Sequence, residues 1–538
     1  MKFLQNNKLF KRLMRYRLRR IMRGYRYLKR IDSLDLIGNI TRDFTRKQLD
    51  IKKSQFSKII FGTGIDHAEI ICRQYLLLRC AGLHFNCNLL YGVGKPGRAF
   101  ISPLPPQWRL ICKQHSVNIA SVRNAMLWNS FIMMMLAYGI FTIAKIIFAG
   151  IKATFMSKNE ELERYVYFHA LTSGNLPQPC KDGRSYDIIT WYSQWNGSVP
   201  DINNFCHGVN GVKETNLNGK PVIFINTPVL LPIRFSRIIG FLIWGIGASL
   251  LAFLDFMRGR WWHPLLLNQA ALAAQVRIMP PNKLAKEYLF HNSGWFFRPL
   301  WTYEAEKLGS QITMYFYSTN CEPFKRVEDY PPLPYGWEAM NWPRYLVWDG
   351  YQADFVRNAV GKSADICVVG PIWFNSSNTE IPVVTGKKVA VFDITPHRAS
   401  RYQTLGIDFE YYLPTVCNSF LQDIQKAAEN CGYKMLWKRK RKIGNMMNPH
   451  YAYLEEQLSN STYVVSIDPN IAAHRLIEYC DIVISMPFTS TALIARDLGK
   501  PSCYYDPTGL VQKDDRAAHG IPIITGMKEL ACWLKNHE

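Results

Sequence analysis

Asp481-Ile482-Val483-Ile484-Ser485-Met486-Pro487-Phe488-Thr489-Ser490-Thr491-Ala492-Leu493-Ile494-Ala495 is the stretch whose reading decides the fold. Asp481 to Ser485 is short, β-branched and apolar, which predicts a buried strand of a parallel sheet. Met486-Pro487-Phe488 turns the chain. Thr489, Ser490 and Thr491 then put hydroxyls where a helix should begin. Gly499-Lys500-Pro501 ends that helix, and Pro501 to Asp506 reads as the next strand. Free N–H groups, hydroxyls and the positive end of a helix dipole suit a phosphate. The same hydroxyls also serve as plain helix caps, so this stretch alone leaves both readings open.

The flanking sequence repeats the pattern. Strands are expected at Lys388–Asp393, Lys434–Lys438, Val464–Asp468, Asp481–Ser485 and Pro501–Tyr505. Helices are expected between them at Leu413–Cys431, Tyr451–Leu458, Ala472–Tyr479 and Thr489–Leu498, with a last one at Lys528–Lys535. Alternating strands and helices imply a doubly wound parallel sheet, whose ligands bind beyond the carboxyl ends of the strands. The loops there carry His397 and Arg398, then Lys438, Arg439 and Lys440, then Pro487 to Thr491, then Asp506. Basic residues and hydroxyls converging on one sheet edge make a site for a phosphate-bearing ligand. A charge run such as Lys438–Lys442 also fits a merely solvated surface.

Met-Pro-Phe-Thr-Ser, followed by Gly-Lys-Pro-Ser and Tyr-Tyr-Asp-Pro, resembles the bacterial polysaccharide-biosynthesis proteins named for their Pro-Phe-Thr-Ser motif. More distantly the last 60 or so residues are similar to the C-terminal halves of GT-B glycosyltransferases, including Kdo, sialic-acid and glycerophosphate transferases. That resemblance implies two Rossmann-like domains, a nucleotide-sugar donor as substrate, no cofactor and no catalytic metal. It implies donor contacts from Pro487, Phe488, Thr489, Ser490 and Thr491. It extends to His450, near where the sialic-acid and Kdo enzymes carry a His-Pro pair, although the order here is Pro449-His450. It extends also to Glu478, where many such enzymes bind the donor's ribose or sugar. Helix-start and surface-charge roles are the plain alternatives for these two.

At 538 residues the chain is too long for one core. A hydrophobic content of 48% argues against disorder. The net charge of +24, from 65 basic and 41 acidic residues, implies an anionic partner. Thirteen scattered cysteines without a Cys-x-x-Cys pair read as reduced thiols in a cytoplasmic protein. The first 30 residues hold twelve Lys/Arg and no acid, with Phe10, Met14, Leu18, Ile21, Tyr25 and Leu28 at helical spacing. A basic amphipathic helix fits an anionic membrane surface, and a nucleic-acid arm or a solvated docking helix are its alternatives.

Residues 1–50 are therefore expected as a basic segment, 51–375 as a first Rossmann-like domain for the acceptor, and 376–538 as a second for the donor. The expected linker is Asn375–Thr379. In the first domain, Ile59–Gly64 and Asn86–Tyr91 are expected as strands of a βαβ unit around Gly62-Thr63-Gly64, and Tyr165–His169, Asp187–Tyr192 and Val222–Asn226 as further strands. Further strands are expected at Glu287–Asn292, Ile312–Tyr317, Tyr345–Trp348 and Ile366–Gly370. Apolar stretches at about 125–150 and 238–257 are long enough for membrane helices. Their flanks are basic on both sides, without the asymmetry that orients a spanning helix. Spanning would also split one sheet across a bilayer. Two helices that lie on or dip into the membrane are expected instead, with core helices as the alternative and Trp261-Trp262-His263 as an interfacial anchor.

Transfer from a nucleotide sugar needs a base for the acceptor hydroxyl. Asp66 and His67, in the expected loop after the first strand, and Asp349 are the candidates; helix capping is the alternative role. The sequence thus points to a glycosyltransferase on the cytoplasmic face of a bacterial inner membrane, peripheral or monotopic. Its expected partners are a nucleotide-sugar donor, a glycan or lipid-linked acceptor and an anionic membrane surface, with no nucleic acid. The resemblance hints at a CMP-activated acidic sugar. A non-catalytic assembly protein of the same fold, or a nucleic-acid-binding protein, are the other classes open at this point.

Overall fold

The computed structural model describes residues 39–537, except 41–42, 45–48, 50, 52–54, 81–84, 86–87, 90–98, 157–161, 178–185, 196–200, 229–234, 294–296, 320–321, 332, 334, 362, 375–378, 397–412 and 440–446. The basic N-terminal helix, most of the expected linker and strand Asn86–Tyr91, and the candidate residues His397, Arg398 and Lys440 lie outside the described residues.

Two parallel-dominated sheets build the molecule. Helices α1 (Ala68–Cys80) and α2 (Ser121–Met156) precede the first sheet. Then come β1 (Tyr165–Phe168), α3 (Ile188–Trp195), β2 (Asn204–His207), β3 (Thr215–Leu217) and β4 (Lys220–Phe224). Two helices follow, α4 (Phe235–Met257) and α5 (Trp262–Arg277). The domain closes with β5 (Glu287–His291), α6 (Leu300–Lys307), β6 (Gln311–Tyr315), β7 (Arg344–Val347), α7 (Gly350–Val360) and β8 (Asp365–Val368). The strand order is β3-β4-β2-β1-β5-β6-β7-β8, with the β3–β4 pair antiparallel and the others parallel. The chain winds outward in both directions from the β1/β5 pair, so that pair is the topological switch point.

The second sheet runs β9 (Lys388–Phe392), α8 (Pro414–Asn430), β10 (Lys434–Lys438), α9 (Pro449–Ser459), β11 (Val464–Ile467), α10 (Ala473–Tyr479), β12 (Ile482–Ser485), α11 (Ser490–Asp497), β13 (Ser502–Asp506), β14 (Ile523–Thr525) and α12 (Gly526–Lys535). Its order is β11-β10-β9-β12-β13-β14, all parallel, and its switch point lies between β9 and β12. The central strands β9, β10, β12 and β13 form as short runs buried on both faces; β12 is buried at all four positions, while the edge strands β11 and β14 are partly exposed. Ile484 faces Val391 on one side and Cys503 on the other.

Three expectations for the first domain are corrected. Ile59–Gly64 is not a strand: Lys58–Phe61 is helical and Gly62–His67 is a 3₁₀ turn leading into α1. Gly62 has a φ of 56°, and a Cβ there would lie 2.0 Å from Glu304 Oε1. That carboxylate accepts the Thr63 N–H at 3.0 Å and the Arg277 guanidinium at 2.8 Å. The glycine thus permits close approach to a buried carboxylate. Asp187–Tyr192 is not a strand either. Asp187 Oδ1 accepts the N–H groups of Ile189 and Thr190 at 2.8 and 3.1 Å, the geometry that starts a helix. Trp261 and Trp262 are not an interfacial anchor: both are buried, Trp261 against Trp128, and Trp262 Nε1 donates to Gln55 O.

Helices α2 and α4 are long and apolar enough to cross a membrane by length and composition. Both pack on α5, whose residues Leu265 to Val276 are mostly buried. Gly139 of α2 lets Leu267 approach, and Gly245 of α4 does the same for Ile143. Their outer faces expose Met134, Phe141, Phe148 and Phe155 on α2, and Ile243, Ile246 and Leu250 on α4. The segment joining these helices supplies β1 to β4, and Val166 of β1 pairs with Glu287 of β5. One continuous sheet therefore joins the chain that leaves α2 to the chain on either side of α4.

Candidate functional site

The carboxyl edges of the two sheets face each other. Phe324, in the loop after β6, packs its ring 4.8 Å from Phe488 of the Pro-Phe-Thr-Ser turn, which follows β12. Asp349, after β7, takes the Arg496 guanidinium at 2.8 Å and His519 Nδ1 at 2.9 Å, both from the second domain. Arg516 pairs with Glu322, and Asp515 accepts the Lys325 N–H at 2.8 Å. On another side, Trp373 lies between Tyr186 and His474, stacked at 3.6 Å on each.

The opening stretch folds as expected and is more specialised than expected. Met486 N–H continues the β12–β9 ladder by donating to Phe392 O at 2.9 Å. Pro487 then breaks the ladder. Phe488 adopts a φ of 61°, a left-handed conformation that costs a non-glycine residue about 1–2 kcal/mol. Its ring, against Phe324 and Tyr504, supplies the compensating packing. Thr489 Oγ1 donates back to Met486 O at 2.8 Å, which closes the turn. Thr491 Oγ1 lies 2.8 Å from Ser485 Oγ and 3.2 Å from Thr489 Oγ1. Ser490, the first residue of α11, is half-buried, and its hydroxyl makes no hydrogen bond among the described residues. So two of the three hydroxyls hold the turn and one is presented at a helix N-terminus beside the switch point.

Asp393, directly after β9, is buried; its Oδ2 accepts the Tyr451 hydroxyl and its Oδ1 has no hydrogen-bond partner among the described residues. Burial pushes its carboxyl up to about 6 against the opposing effect of the Tyr451 hydrogen bond. Lys438, at the end of β10, is nearly buried, and its ammonium donates to Pro469 O at 3.2 Å. Burial lowers its pKa against the opposing pull of Asp393 and Asp468.

The other predicted residues divide. Arg439 is held by Glu455. His450 is exposed in the first turn of α9, and its N–H is taken by the Asn448 cap at 3.0 Å. Glu478 is exposed, 3.5 Å from His474 Nδ1 one turn back. Asp506 is fully buried and accepts Thr508 N, Thr508 Oγ1 and Val511 N at 2.8, 2.6 and 2.8 Å, which anchors the turn after β13. Asp66 is exposed on the 3₁₀ turn, and His67 stacks on Tyr303 at 5.0 Å. Asp349 caps α7 through the Gln352 N–H at 3.0 Å as well as bridging the domains.

Sequence reasoning missed the polar groups on the first sheet's edge. His169 follows β1, His291 ends β5, and Asn292 comes next. Their signal is a polar residue at the carboxyl end of an apolar strand, legible only once the β1/β5 switch point is known.

Two Rossmann-like parallel-dominated sheets, the second with the N-terminus of α11 at its switch point, define an α/β protein of the doubly wound class. A family model described as polysaccharide biosynthesis PFTS motif protein matches residues 244–534, more than half of the chain, and the chain belongs to that family. No curated protein matches the sequence. Among solved structures, the wall teichoic acid polymerase TagF aligns over 74% of this chain and 88% of its own, at 13% identity and a TM-score of 0.36. UGT2 of Phytolacca americana, complexed with UDP-2fluoro-glucose and pterostilbene, covers 69% and 93%, at 11% identity and 0.31. The glycotransferase of kitacinnamycin covers 70% and 91%, at 10% identity and 0.34.

Proposed function

We propose that this chain is a glycosyltransferase of surface-polysaccharide synthesis that takes a nucleotide-activated sugar. The observation that carries the reading is the placement of the family motif: its free hydroxyl, Ser490, and the N–H groups of α11 stand beside the switch point of a six-stranded parallel sheet. A phosphate seated there gains hydrogen bonds and the helix dipole without displacing any internal contact of Ser490. Lys438 lies at the carboxyl end of the second strand along the same edge and adds a cation. Such fixed donors stabilise charge growing on a leaving phosphate.

The acceptor enters from the first-domain side, as a polysaccharide or lipid-linked glycan. A lipid-linked acceptor is met at the bilayer, and the exposed outer faces of α2 and α4 fit monotopic attachment at the cytoplasmic face of the inner membrane. Helix α2 contains no Asp or Glu, and Asp255, the one acid in α4, is buried beside His263. Exposed Arg258 and Arg260 flank the apolar face and suit anionic lipid.

The test is a thermal-shift panel of CMP, CDP, UDP and GDP on the wild type and Ser490→Ala. One nucleotide should raise the melting temperature of the wild type, and the variant should need about tenfold more of it. A wild type indifferent to all four contradicts the reading.

A further inference from the structure

We propose that His291 is the group that takes the proton from the acceptor hydroxyl, with Nδ1 as the accepting atom. The proposal deepens the transferase reading and rests on it. His291 is the last residue of β5, at the β1/β5 switch point, where open α/β sheets bind ligands. It shares this edge with Tyr317, which follows β6; seven residues on, Phe324 meets the Pro-Phe-Thr-Ser turn. The histidine thus stands on the carboxyl edge of the first sheet, the edge whose β6 loop reaches the motif turn.

Its hydrogen bonding selects one tautomer. His291 Nε2 lies 3.4 Å from Ala170 O. A carbonyl oxygen only accepts, so Nε2 carries the hydrogen and Nδ1 is left as a bare lone pair. That Nδ1 has no hydrogen-bond partner among the described residues, and the residue is 8% exposed. A buried acceptor without a donor is costly unless a ligand supplies one. The carbonyl is held in place by a left-handed turn: Ala170 has a φ of 56°, strained for a residue with a Cβ. Asn292, next in the chain, fixes the edge by accepting the Tyr317 N–H at 2.8 Å.

His169, the other imidazole here, is different. Its ring lies flat on Phe290 at 4.1 Å and also meets Tyr167, Tyr288 and Trp301. Burial, with a smaller push from His291, lowers it to about 3, which marks a packing residue. Burial also lowers His291, so its lone pair is available at neutral pH. The titratable groups facing His291 are His169 beyond β1, and Tyr315 and Tyr317 of β6 and its loop.

The step balances as follows. The acceptor O–H gives its proton to Nδ1 while its oxygen bonds to the donor's anomeric carbon. The bond from that carbon to the phosphate oxygen breaks, and its electron pair leaves with the nucleotide. The imidazolium then returns the proton to solvent.

The experiment has two arms. In the first, His291→Ala and His291→Gln are compared with wild type for label transfer from CMP-, UDP- and GDP-sugars to a bacterial membrane fraction, alongside the nucleotide thermal shift. Transfer should fall by about 10²-fold or more with the shift unchanged. The acid limb of the wild-type pH–rate profile should vanish in both variants. Transfer within threefold of wild type, or a surviving acid limb, overturns the proposal while the transferase reading stands. In the second arm, nitrogen NMR of ¹⁵N-histidine-labelled protein reads the tautomer directly, whatever the donor. The His291 signal, assigned by its loss in His291→Gln, should show protonated Nε2 and bare Nδ1 at pH 7. A protonated Nδ1 overturns the proposal. A wild type without nucleotide shift or transfer, but with the expected tautomer, fails the transferase reading instead.

Discussion

At the scale of single residues, the motif separates into structural and presenting positions. Thr489 and Thr491 are tied to Met486 and Ser485, so Thr491→Val should destabilise the fold by about 1 kcal/mol in urea titration. Ser490→Ala should leave the unfolding midpoint unchanged and act on nucleotide affinity alone. Asp393 makes a pH prediction. Its carboxyl is raised in the folded state to about 6 from an ordinary value of 3.8. The folded protein therefore holds that proton more tightly than the unfolded chain. The associated stability is full below pH 3.8 and is lost as pH rises through 6, on the order of 2–3 kcal/mol. Asp393→Asn should remove this dependence, so that its stability relative to wild type improves between pH 4.5 and pH 7. A pH-independent difference in urea midpoints would contradict the burial account.

At the scale of elements, the contact between loops matters most. The Phe324 and Phe488 rings join the two domains, and a double-mutant cycle to alanine should return a coupling of about 0.5–1.5 kcal/mol. A coupling near zero would mean that the rings do not hold the loops together. Five of the six strands of the second sheet are legible in the sequence as short apolar runs separated by helices with their own start signals; β14 is three residues long, has no α-helix before it, and is not. Pro414 and Pro449 stand in the first turns of α8 and α9, for example. The amino-terminal part of the first domain is not legible in the same way. Gly62-Thr63-Gly64 reads as the turn of a βαβ unit, yet Gly62 makes room for Glu304, which is 241 residues from Thr63 in sequence, and Gly64 makes room for Leu300. Asp187-Ile188-Ile189-Thr190 looks like a strand until the aspartate is seen capping its own helix. Of the site, the motif is readable locally. The roles of Asp349 and His291 depend on partners that only the fold brings near, such as Arg496 and Ala170.

At the scale of the whole molecule, loops of the two sheets meet and a pair of apolar helices forms one flank. Phe141, Phe148, Ile243 and Leu250 are each more than half exposed on that flank. Replacing all four with serine should lower partition onto anionic vesicles, read by flotation, by at least about 100-fold, because lost burial of even two of them, at about 1.5–3 kcal/mol each, is worth that much. Unchanged flotation would remove the membrane from the account. The central claim is that the Pro-Phe-Thr-Ser turn seats the phosphate of a nucleotide donor. Isothermal titration of the stabilising nucleotide into wild type and Ser490→Ala tests it most directly. The account predicts one site per chain and an affinity about tenfold weaker in the variant, with equal stability of the two proteins. Equal affinities in the two proteins would contradict it.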